Sequence, residues 1–174
     1  MKTIVIDPGH GGNDNGAVWG HAEEDDINLG VSFLLRCELG KYGIEVLMTR
    51  ETDEAVPLYV RTDYANRMQA DLFVSIHCDA FHNTTASGMS VHVHPECSFA
   101  TLDTAGMIKR MMDARFPDHR NRGVRKSDFH VLRHTKMPAV LVECEFLSHP
   151  ETRKFLREPE NQLGLARAIS RGIV

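Results

Sequence analysis

The sequence predicts an α/β protein, with a single domain over 1–174 built on a mostly parallel, twisted sheet of about six strands with helices on both faces. Two observations support this prediction. Short runs of β-branched and apolar residues alternate along the chain with longer segments whose apolar residues recur at helical spacing. The length of 174 residues also suits one domain around one hydrophobic core.

The first half of the chain begins with a buried strand over 3–7, which ends at a Pro-Gly turn and a glycine-rich loop. Apolar residues at helical spacing predict a helix over 25–42, and Gly43 suits its C-terminal end. The other predicted elements of this half are a strand, a helix and a strongly apolar strand, over 44–49, 58–68 and 71–77.

In the second half, the alternating segment 88–94 predicts a half-exposed strand at an edge of the sheet. A helix, a basic loop, a short strand and a buried strand are expected next, over 100–115, 121–126, 130–133 and 139–143. From about residue 151 the tail is predicted to be mostly helical. The alternation of strands with helices is typical of βαβ units.

Composition argues against several classes of function. A formal net charge of -4 gives no overall attraction to nucleic acid or to anionic membranes. The longest apolar runs are far shorter than the roughly 18–20 residues that span a bilayer. We therefore expect neither a nucleic-acid partner nor insertion into a membrane.

The N-terminus leads directly into the first strand and lacks the pattern of a signal peptide. This favours either cytoplasmic accumulation with release through a membrane pore, or a secreted domain that has been trimmed. The four cysteines are scattered without a C-x-x-C pair, which argues against a zinc ribbon or a thioredoxin-like site. We expect reduced, structural thiols.

Polar residues capable of chemistry follow several of the predicted strands. His10 lies just past the first strand, His77 ends the strand over 71–77, and Glu143 ends the strand over 139–143. Glu24 begins the first helix, which returns from the loop that carries His10. In open α/β sheets ligands bind beyond the carboxyl ends of the strands, so these four side chains are expected at one edge.

Two imidazoles and one carboxylate form a set typical of catalytic zinc, which leaves one position open for water. Each residue alone also fits an ordinary role, as a hydrogen-bonded histidine at a strand end or a glutamate that stabilises a helix start. From spacing alone, metal binding and these ordinary roles remain equal alternatives. Glu143 is harder to explain structurally, because a carboxylate after an apolar strand must be paired, hydrated or functional.

Four motifs occur in order along the chain: IVIDPGHGGNDNGA, EDDINL, SIHCDA and PAVLVECEFLSHPE. Two further segments, TRETDEAVPLYVRTDYAN and NRGVRKSDFHVLR, accompany them. Together they resemble the zinc-dependent N-acetylmuramoyl-L-alanine amidases of the amidase-3 family, from Thr3 to about residue 152. Several motifs in register are far more specific than a single glycine-rich loop.

The resemblance implies that His10, Glu24 and His77 ligate one Zn²⁺ ion and that Glu143 matches the catalytic glutamate of the family. It implies cleavage of the amide between the lactyl group of N-acetylmuramic acid and the L-alanine of the stem peptide. The expected partner is peptidoglycan, the expected place of action is the bacterial cell wall or periplasm, and a monomer is expected. Autolysins and phage or prophage endolysins are such enzymes.

One departure from the family pattern concerns the residues after Glu143. The family usually shows x-G-F-L-S-N there, whereas this chain has CEFLSH, so Glu145 replaces a glycine. Strand alternation places 143 and 145 on one face, and we expect Glu145 to raise the pKa of Glu143 if both approach the site. Periodicity does not settle which carboxylate is catalytic, and register with the motif favours Glu143.

Other assignments also have alternatives. Glu23 competes with Glu24 as a ligand, and register with the following Asn28 favours Glu24. His82, His92 and His94 suggest either a second metal, since 92 and 94 share a strand face, or, preferably, a solvated edge strand. Cys78 is expected to pack away from His77.

Arg122 and Arg125, in the basic loop, either bind the acidic stem peptide or form ordinary solvated surface. Two other functions also remain as alternatives to an amidase. One is a peptidoglycan-binding module without catalysis, and the other is a zinc amidohydrolase that acts on another peptide or small amide.

Overall fold

Residues 2–174, which the computed structural model describes, form eight strands and six helices. The strands are β1 Thr3–Pro8, β2 Val18–Trp19, β3 Ala22–Glu23, β4 Glu45–Met48, β5 Leu72–Asp79, β6 Met89–Val93, β7 Asn121–Lys126 and β8 Ala139–Phe146. The helices are α1 Glu24–Gly40, α2 Leu58–Arg67, α3 Phe99–Arg115, α4 His130–Arg133, α5 Pro150–Arg157 and α6 Pro159–Ile173.

Six strands form one sheet, in the order β4-β1-β5-β8-β6-β7, and β2 and β3 form a separate small hairpin. The pairs β1–β4, β1–β5, β5–β8 and β6–β7 are parallel, and only β6 and β8 pair antiparallel within this sheet. The predicted mostly parallel, six-stranded sheet is confirmed. Because β1, β4, β5 and β8 run in the same direction, the residues that follow them collect at one edge.

The two faces of the sheet carry different sets of helices, which confirms the predicted α/β layering. Alternate residues such as Val74 and Val142 face a large core that α1, α3, α5 and α6 cover. Val5, Phe73 and Leu141 face a smaller core beneath α2 and α4. Among residues 2–174, no helix is both long enough and apolar enough to cross a bilayer.

The prediction of a half-exposed edge strand over 88–94 is wrong. β6 lies between β8 and β7 and is buried at all of its positions. The segment 121–126, expected as a loop, is the edge strand β7 that covers it. β7 is mostly exposed and carries charged side chains, as edge strands often do, so its sequence lacks the apolar run of an inner strand.

The prediction of a short strand over 130–133 is also wrong, because this segment forms the single helical turn α4. Val131 and Leu132 are both buried in the smaller core, and so short an apolar run does not distinguish a strand from a helix. The last strand continues to Phe146, three residues beyond its predicted end. The helical tail is divided in two, with a proline beginning each helix.

Candidate metal centre

Arg61 holds the backbone that carries His10 away from the end of β1. It is 3% exposed, and its Nη1 donates to the carbonyl of Pro8 at 2.6 Å and to Asp7 Oδ1 at 2.9 Å. Its Nη2 donates to the carbonyl of His10 at 2.7 Å. His10 has a φ of 61°, a left-handed conformation that costs a non-glycine residue roughly 1–2 kcal/mol. The guanidinium offsets this cost and fixes the position of the imidazole.

Arg50 supports the same turn from the other side. Its Nε donates to the carbonyl of Pro8 at 3.0 Å, and its Nη2 donates to the carbonyls of Gly9 at 2.9 Å and Asp25 at 2.8 Å. The last of these bonds ties the turn after β1 to the first turn of α1. Arg50 thereby joins the segment of His10 to the segment of Glu24.

Two glycines let the polar side chains approach the backbone closely. A Cβ added at Gly9 would lie 2.2 Å from the imidazole of His77. A Cβ added at Gly16 would lie 2.5 Å from Glu24 Oε2 and 2.7 Å from the ring of His10. These distances are shorter than any van der Waals contact, so the cluster requires glycine at both positions.

His10, Glu24 and His77 lie together at the edge of the sheet. Glu24 Oε1 lies 3.3 Å from His10 Nε2 and 3.0 Å from His77 Nδ1, and the ligand atoms of all three residues lie within 4.8 Å of one another. Ligands around a tetrahedral zinc with bonds of about 2.0–2.1 Å are roughly 3.4 Å apart. The donor set and its spacing therefore fit a zinc ion.

Neighbouring groups orient these side chains. The Nδ1 of His10 donates to Asp14 Oδ2 at 2.9 Å, which leaves Nε2 as the atom that faces Glu24. Glu24 accepts hydrogen bonds from Asn28 Nδ2 at 3.2 Å and from the backbone amides of Cys78 at 3.1 Å and Ala17 at 2.9 Å. Such partners typically fix the orientation and basicity of metal ligands.

The competing glutamate, Glu23, lies outside this cluster. It precedes α1 in the small hairpin, and its Oε2 accepts a hydrogen bond from Asn15 Nδ2 at 2.7 Å. The structure thus brings Glu24, and not Glu23, beside the two histidines.

The protonation states of His10, Glu24 and His77 depend on one another, because the three side chains are in contact. The hydrogen bond to Glu24 raises the pKa of His10 to about 9, although burial acts in the opposite direction. Burial alone would raise the pKa of Glu24, but hydrogen bonds and charge from His10 and His77 outweigh it and hold that pKa well below its usual range. In the metal-free protein at neutral pH, the carboxylate is therefore charged and His10 is protonated.

Glu143 lies beside this cluster. It is opposite His77 in the β5–β8 ladder, and it lines the same cleft as His10 and His77. Its Oε2 is buried and has no hydrogen-bond partner within residues 2–174. Burial, together with the nearby charges of Asp79 and Glu24, raises the pKa of Glu143 well above its usual value.

The cleft has a volume of about 550 Å³, and its walls beyond the polar cluster are largely apolar. Val56 and Leu58 line it from the start of α2, and Phe129 and Val131 line it from the region of α4. Leu58 and Phe129 remain substantially exposed to solvent. The arrangement combines a group of charged side chains with apolar surface for contact with a ligand.

Comparison with known proteins identifies the family. The profile of Amidase_3, N-acetylmuramoyl-L-alanine amidase, matches residues 4–174. The chain belongs to this family. "Probable cell wall amidase LytH" of Staphylococcus aureus is 35% identical over 178 residues, which cover 99% of this chain and 57% of the relative. The chain thus spans 57% of the length of the curated relatives that it matches.

Solved structures of N-acetylmuramoyl-L-alanine amidases share the fold. The N-acetylmuramoyl-L-alanine amidase of Clostridium difficile 630 has a TM-score of 0.94 and 34% identity, over 99% of this chain and 94% of that one. The catalytic domain of CwlV from Bacillus (Paenibacillus) polymyxa var. colistinus has a TM-score of 0.93 and 32% identity, over 99% and 96%. The membership of the amidase-3 family inferred from the motifs is confirmed.

Glu145 does not approach the site, so the condition for its expected influence on the pKa of Glu143 is not met. The β5–β8 pairing shifts register after Glu143, so the alternation that would place both residues on one face is interrupted. Glu145 is fully buried and accepts hydrogen bonds from the amides of Gly88 at 2.7 Å and Phe146 at 2.9 Å. Its other oxygen lies 2.9 Å from His119 Nδ1. This residue of the Amidase_3 chain therefore ties together neighbouring loops.

His92 and His94 do not form a second metal cluster. His92 is buried, and both of its ring nitrogens have serine partners, so the expected solvated environment is also wrong for this residue. His94 Nε2 lies 3.3 Å from Asp128. Within residues 2–174, His10, Glu24 and His77 are the only group of three or more such side chains with a spacing suited to a metal.

The two arginines lie near the site but do not line the cleft. Arg122 donates from Nε to the carbonyl of Ser87 at 2.7 Å, and its guanidinium lies 4.4 Å from the centre of the Phe146 ring. Arg125 is exposed on β7. Asp79 lies at the end of β5, and burial raises its pKa. The positive charges of Arg122 and Arg125 partly offset this rise, so both arginines lie near the end of β5.

The cysteines carry free thiols, as expected. Cys78 and Cys144 face the large core and not the cleft, because alternation turns them away from His77 and Glu143. The residues that sequence reasoning missed are Arg50 and Arg61. Both lie in segments quoted for the family resemblance, and the only local signal for Arg61 is a charged residue amid the buried positions of α2.

Replacing Arg61 by alanine should lower the free energy of unfolding by about 3–5 kcal/mol, because the buried carboxylate of Asp7 loses its charged partner. Urea unfolding of the metal-free protein measures this loss. Arg36→Ala is the matched control, since its exposed ion pair with Glu51 should contribute less than about 1 kcal/mol. Similar small losses for both variants would contradict the role of Arg61.

Proposed function

We propose that this chain is a zinc-dependent peptidoglycan hydrolase. It cleaves the amide between the lactyl group of N-acetylmuramic acid and the L-alanine of the stem peptide. The observation that carries the proposal is the cluster of His10, Glu24 and His77 in an Amidase_3 chain, with both histidines lining the same cleft as Glu143. The roles of these four residues are part of the proposal.

His10, Glu24 and His77 would hold one Zn²⁺ ion through two imidazole nitrogens and one carboxylate oxygen. Zinc, when bound, lowers the pKa of a water in its open position toward roughly 7 and stabilises negative charge on a carbonyl oxygen. The carboxylate of Glu24 balances part of the added positive charge. Asp14 keeps the ring of His10 in the tautomer with a free Nε2.

Glu143 would act as general base and then as general acid. Its carboxylate takes a proton from the attacking water as the oxygen of that water adds to the lactyl carbonyl carbon. It then delivers this proton to the nitrogen of L-alanine as the C–N bond breaks. A pKa raised by burial and by neighbouring acids suits a group that must hold a proton between two steps.

The rest of the cleft would contact the polymer. Val56, Leu58 and Phe129 offer apolar surface to the sugar ring and the lactyl methyl group. Arg122 and Arg125 would attract the carboxylates of the stem peptide at the edge near β7. Since the substrate is the wall polymer, we also propose action at the cell wall or periplasm, by a monomer.

Glu143→Gln should reduce the release of L-alanine N-termini from purified peptidoglycan by roughly 10²- to 10⁴-fold, with zinc still bound, because the proton acceptor is lost. Amine release and zinc content are measured on the same samples. Glu145→Gln is the control and should retain most of the turnover, since Glu145 bonds to Gly88 and His119 and not to the cleft. The opposite ranking would assign the catalytic role to Glu145.

A wild-type protein that binds zinc but leaves peptidoglycan uncut would refute the amidase proposal. Activity on isolated muramyl-peptides or other amides would then indicate a different amidohydrolase. Binding to intact sacculi without any cleavage would indicate a peptidoglycan-binding module.

Zinc affinity should rise with pH up to about 9, because His10 must lose the proton that it holds in the metal-free protein. Displacement of one proton predicts a change of about tenfold in Kd for each pH unit below that pKa. Calorimetric titration in buffers of different ionisation enthalpy measures the released proton. His77→Ala should abolish tight zinc binding. The control is His21→Ala, which replaces an exposed histidine and should leave zinc binding unchanged. A Kd for zinc that does not depend on pH would contradict the proposal.

Arg125→Ala should raise KM roughly 3- to 10-fold for muramyl-peptides with an acidic stem, with kcat and zinc content unchanged, because one charged contact is lost. Arg122→Ala should act in the same direction. The control is Arg110→Ala, an exposed arginine on α3. Unchanged KM in both test variants would show that these arginines are ordinary surface.

A further inference from the structure

A buried chain of hydrogen bonds runs through β6 to the surface. His92, which is 8% exposed, lies with Nε2 3.0 Å from Ser90 Oγ and with Nδ1 2.7 Å from Ser127 Oγ. Its ring packs near that of Phe129, with the ring centres 5.4 Å apart. Ser90 is buried and Ser127 is half-buried, so the chain connects the interior of the sheet with its surface.

The inner end of this chain faces Glu143. In the antiparallel β6–β8 pair, Ser90 is directly opposite Glu143 and His92 is opposite Leu141. Side chains of directly opposed residues lie on the same face, with Cβ atoms about 4.5–5.5 Å apart. Leu141 and Glu143 both line the cleft, so Ser90 lies on the cleft face of β6 beside Glu143.

Glu143 has an unused acceptor in this environment. Within residues 2–174, its buried Oε2 has no hydrogen-bond partner. A buried polar atom without a partner is costly, and a buried carboxylate is more so. A hydroxyl on the opposing strand, already held by a second residue, is the kind of group that satisfies such an atom.

In this structure Ser90 Oγ bonds to His92 and not to Glu143. We propose that Ser90 and His92 are positioning residues for Glu143: a small adjustment of the Ser90 side chain lets its hydroxyl donate to the Glu143 carboxylate, and His92 orients that hydroxyl. This inference rests on the proposed function for its catalytic meaning. It assigns a task to a histidine that neither the metal centre nor the cleft uses.

The hydrogen-bond donors and acceptors along the chain are consistent with this role. The role requires the neutral tautomer of His92 in which Nε2–H donates to Ser90 Oγ and Nδ1 accepts from the Ser127 hydroxyl, and both contacts have suitable lengths for it. The single proton of Ser90 is then free for Glu143. Burial, with the nearby charges of Arg125 and His77, lowers the pKa of His92 to about 4, so the ring stays neutral at physiological pH.

The test compares Ser90→Ala with Ser90→Thr, which keeps the hydroxyl, and with Ser170→Ala. Ser170 is a buried serine of α6 whose Oγ has no partner within residues 2–174, so it controls for the loss of a buried hydroxyl. For soluble muramyl-peptides, Ser90→Ala should lower kcat about 10- to 100-fold, as expected for one bond to a charged group. KM and zinc content should stay near wild type, and Ser90→Thr should recover most of kcat. Tm should fall by only about 2–4 °C, because Ser90→Ala leaves the Nε2–H of His92 without an acceptor.

A second measurement does not depend on activity. In metal-free protein labelled with ¹³C-glutamate, the side-chain carboxyl signal of Glu143 is assigned by its loss in Glu143→Gln. Ser90→Ala and His92→Phe should both shift this signal, and Ser170→Ala should not. A shift in these two variants supports the contact between Ser90 and Glu143 even if wild type fails to cleave peptidoglycan. Failure of the proposed function can therefore be distinguished from failure of this inference.

Three results would overturn the inference. In the first, Ser90→Ala leaves both kcat and the Glu143 signal unchanged. In the second, kcat falls only in parallel with Tm and zinc content, which would show a structural role for Ser90. In the third, Ser90→Thr is as impaired as Ser90→Ala although it folds normally.

Discussion

Two buried guanidinium groups reach the carbonyl oxygens that follow β1, and the polar edge of the sheet depends on them. Arg61 enters from α2 and Arg50 from the end of β4, and both bind the carbonyl of Pro8. Without these donors, the left-handed turn at His10 would leave buried carbonyls unsatisfied. Since Arg50 also binds the carbonyl of Asp25, the same bonds set the distance between His10 and Glu24.

The two faces of the sheet differ: one holds the main hydrophobic core, and the other holds a smaller core and the cleft. The face beneath α1, α3, α5 and α6 is a continuous apolar core and supplies most of the buried surface. The other face has a smaller core, because α2 and the short α4 cover only part of it. The space left beside these helices is the cleft, where Glu143 and the metal centre meet apolar side chains. Incomplete coverage of one face thereby creates room for a ligand.

Much of this arrangement could be predicted from the sequence, and the failures have physical causes. His10, His77 and Glu143, near the carboxyl ends of apolar strands, indicated the site, because parallel strands end at a common edge. The environment of β6 could not be predicted, since its burial depends on β7, whose polar sequence resembles a loop. The face on which the Glu145 side chain lies depends on a shift in the β5–β8 register. It also depends on the contact with His119, which is distant in sequence. Local periodicity carries no information on such pairings.

The bonds of Glu145 have a consequence for how this sequence can change. The side chain stands where the family usually has glycine, yet here it satisfies the amide of Gly88 and pairs with His119. Glycine at this position would leave the amide of Gly88 and the half-buried ring of His119 without their acceptor, so it would be destabilising in this chain. Glu145 and His119 therefore form an epistatic pair: each constrains the substitutions that the other can accept.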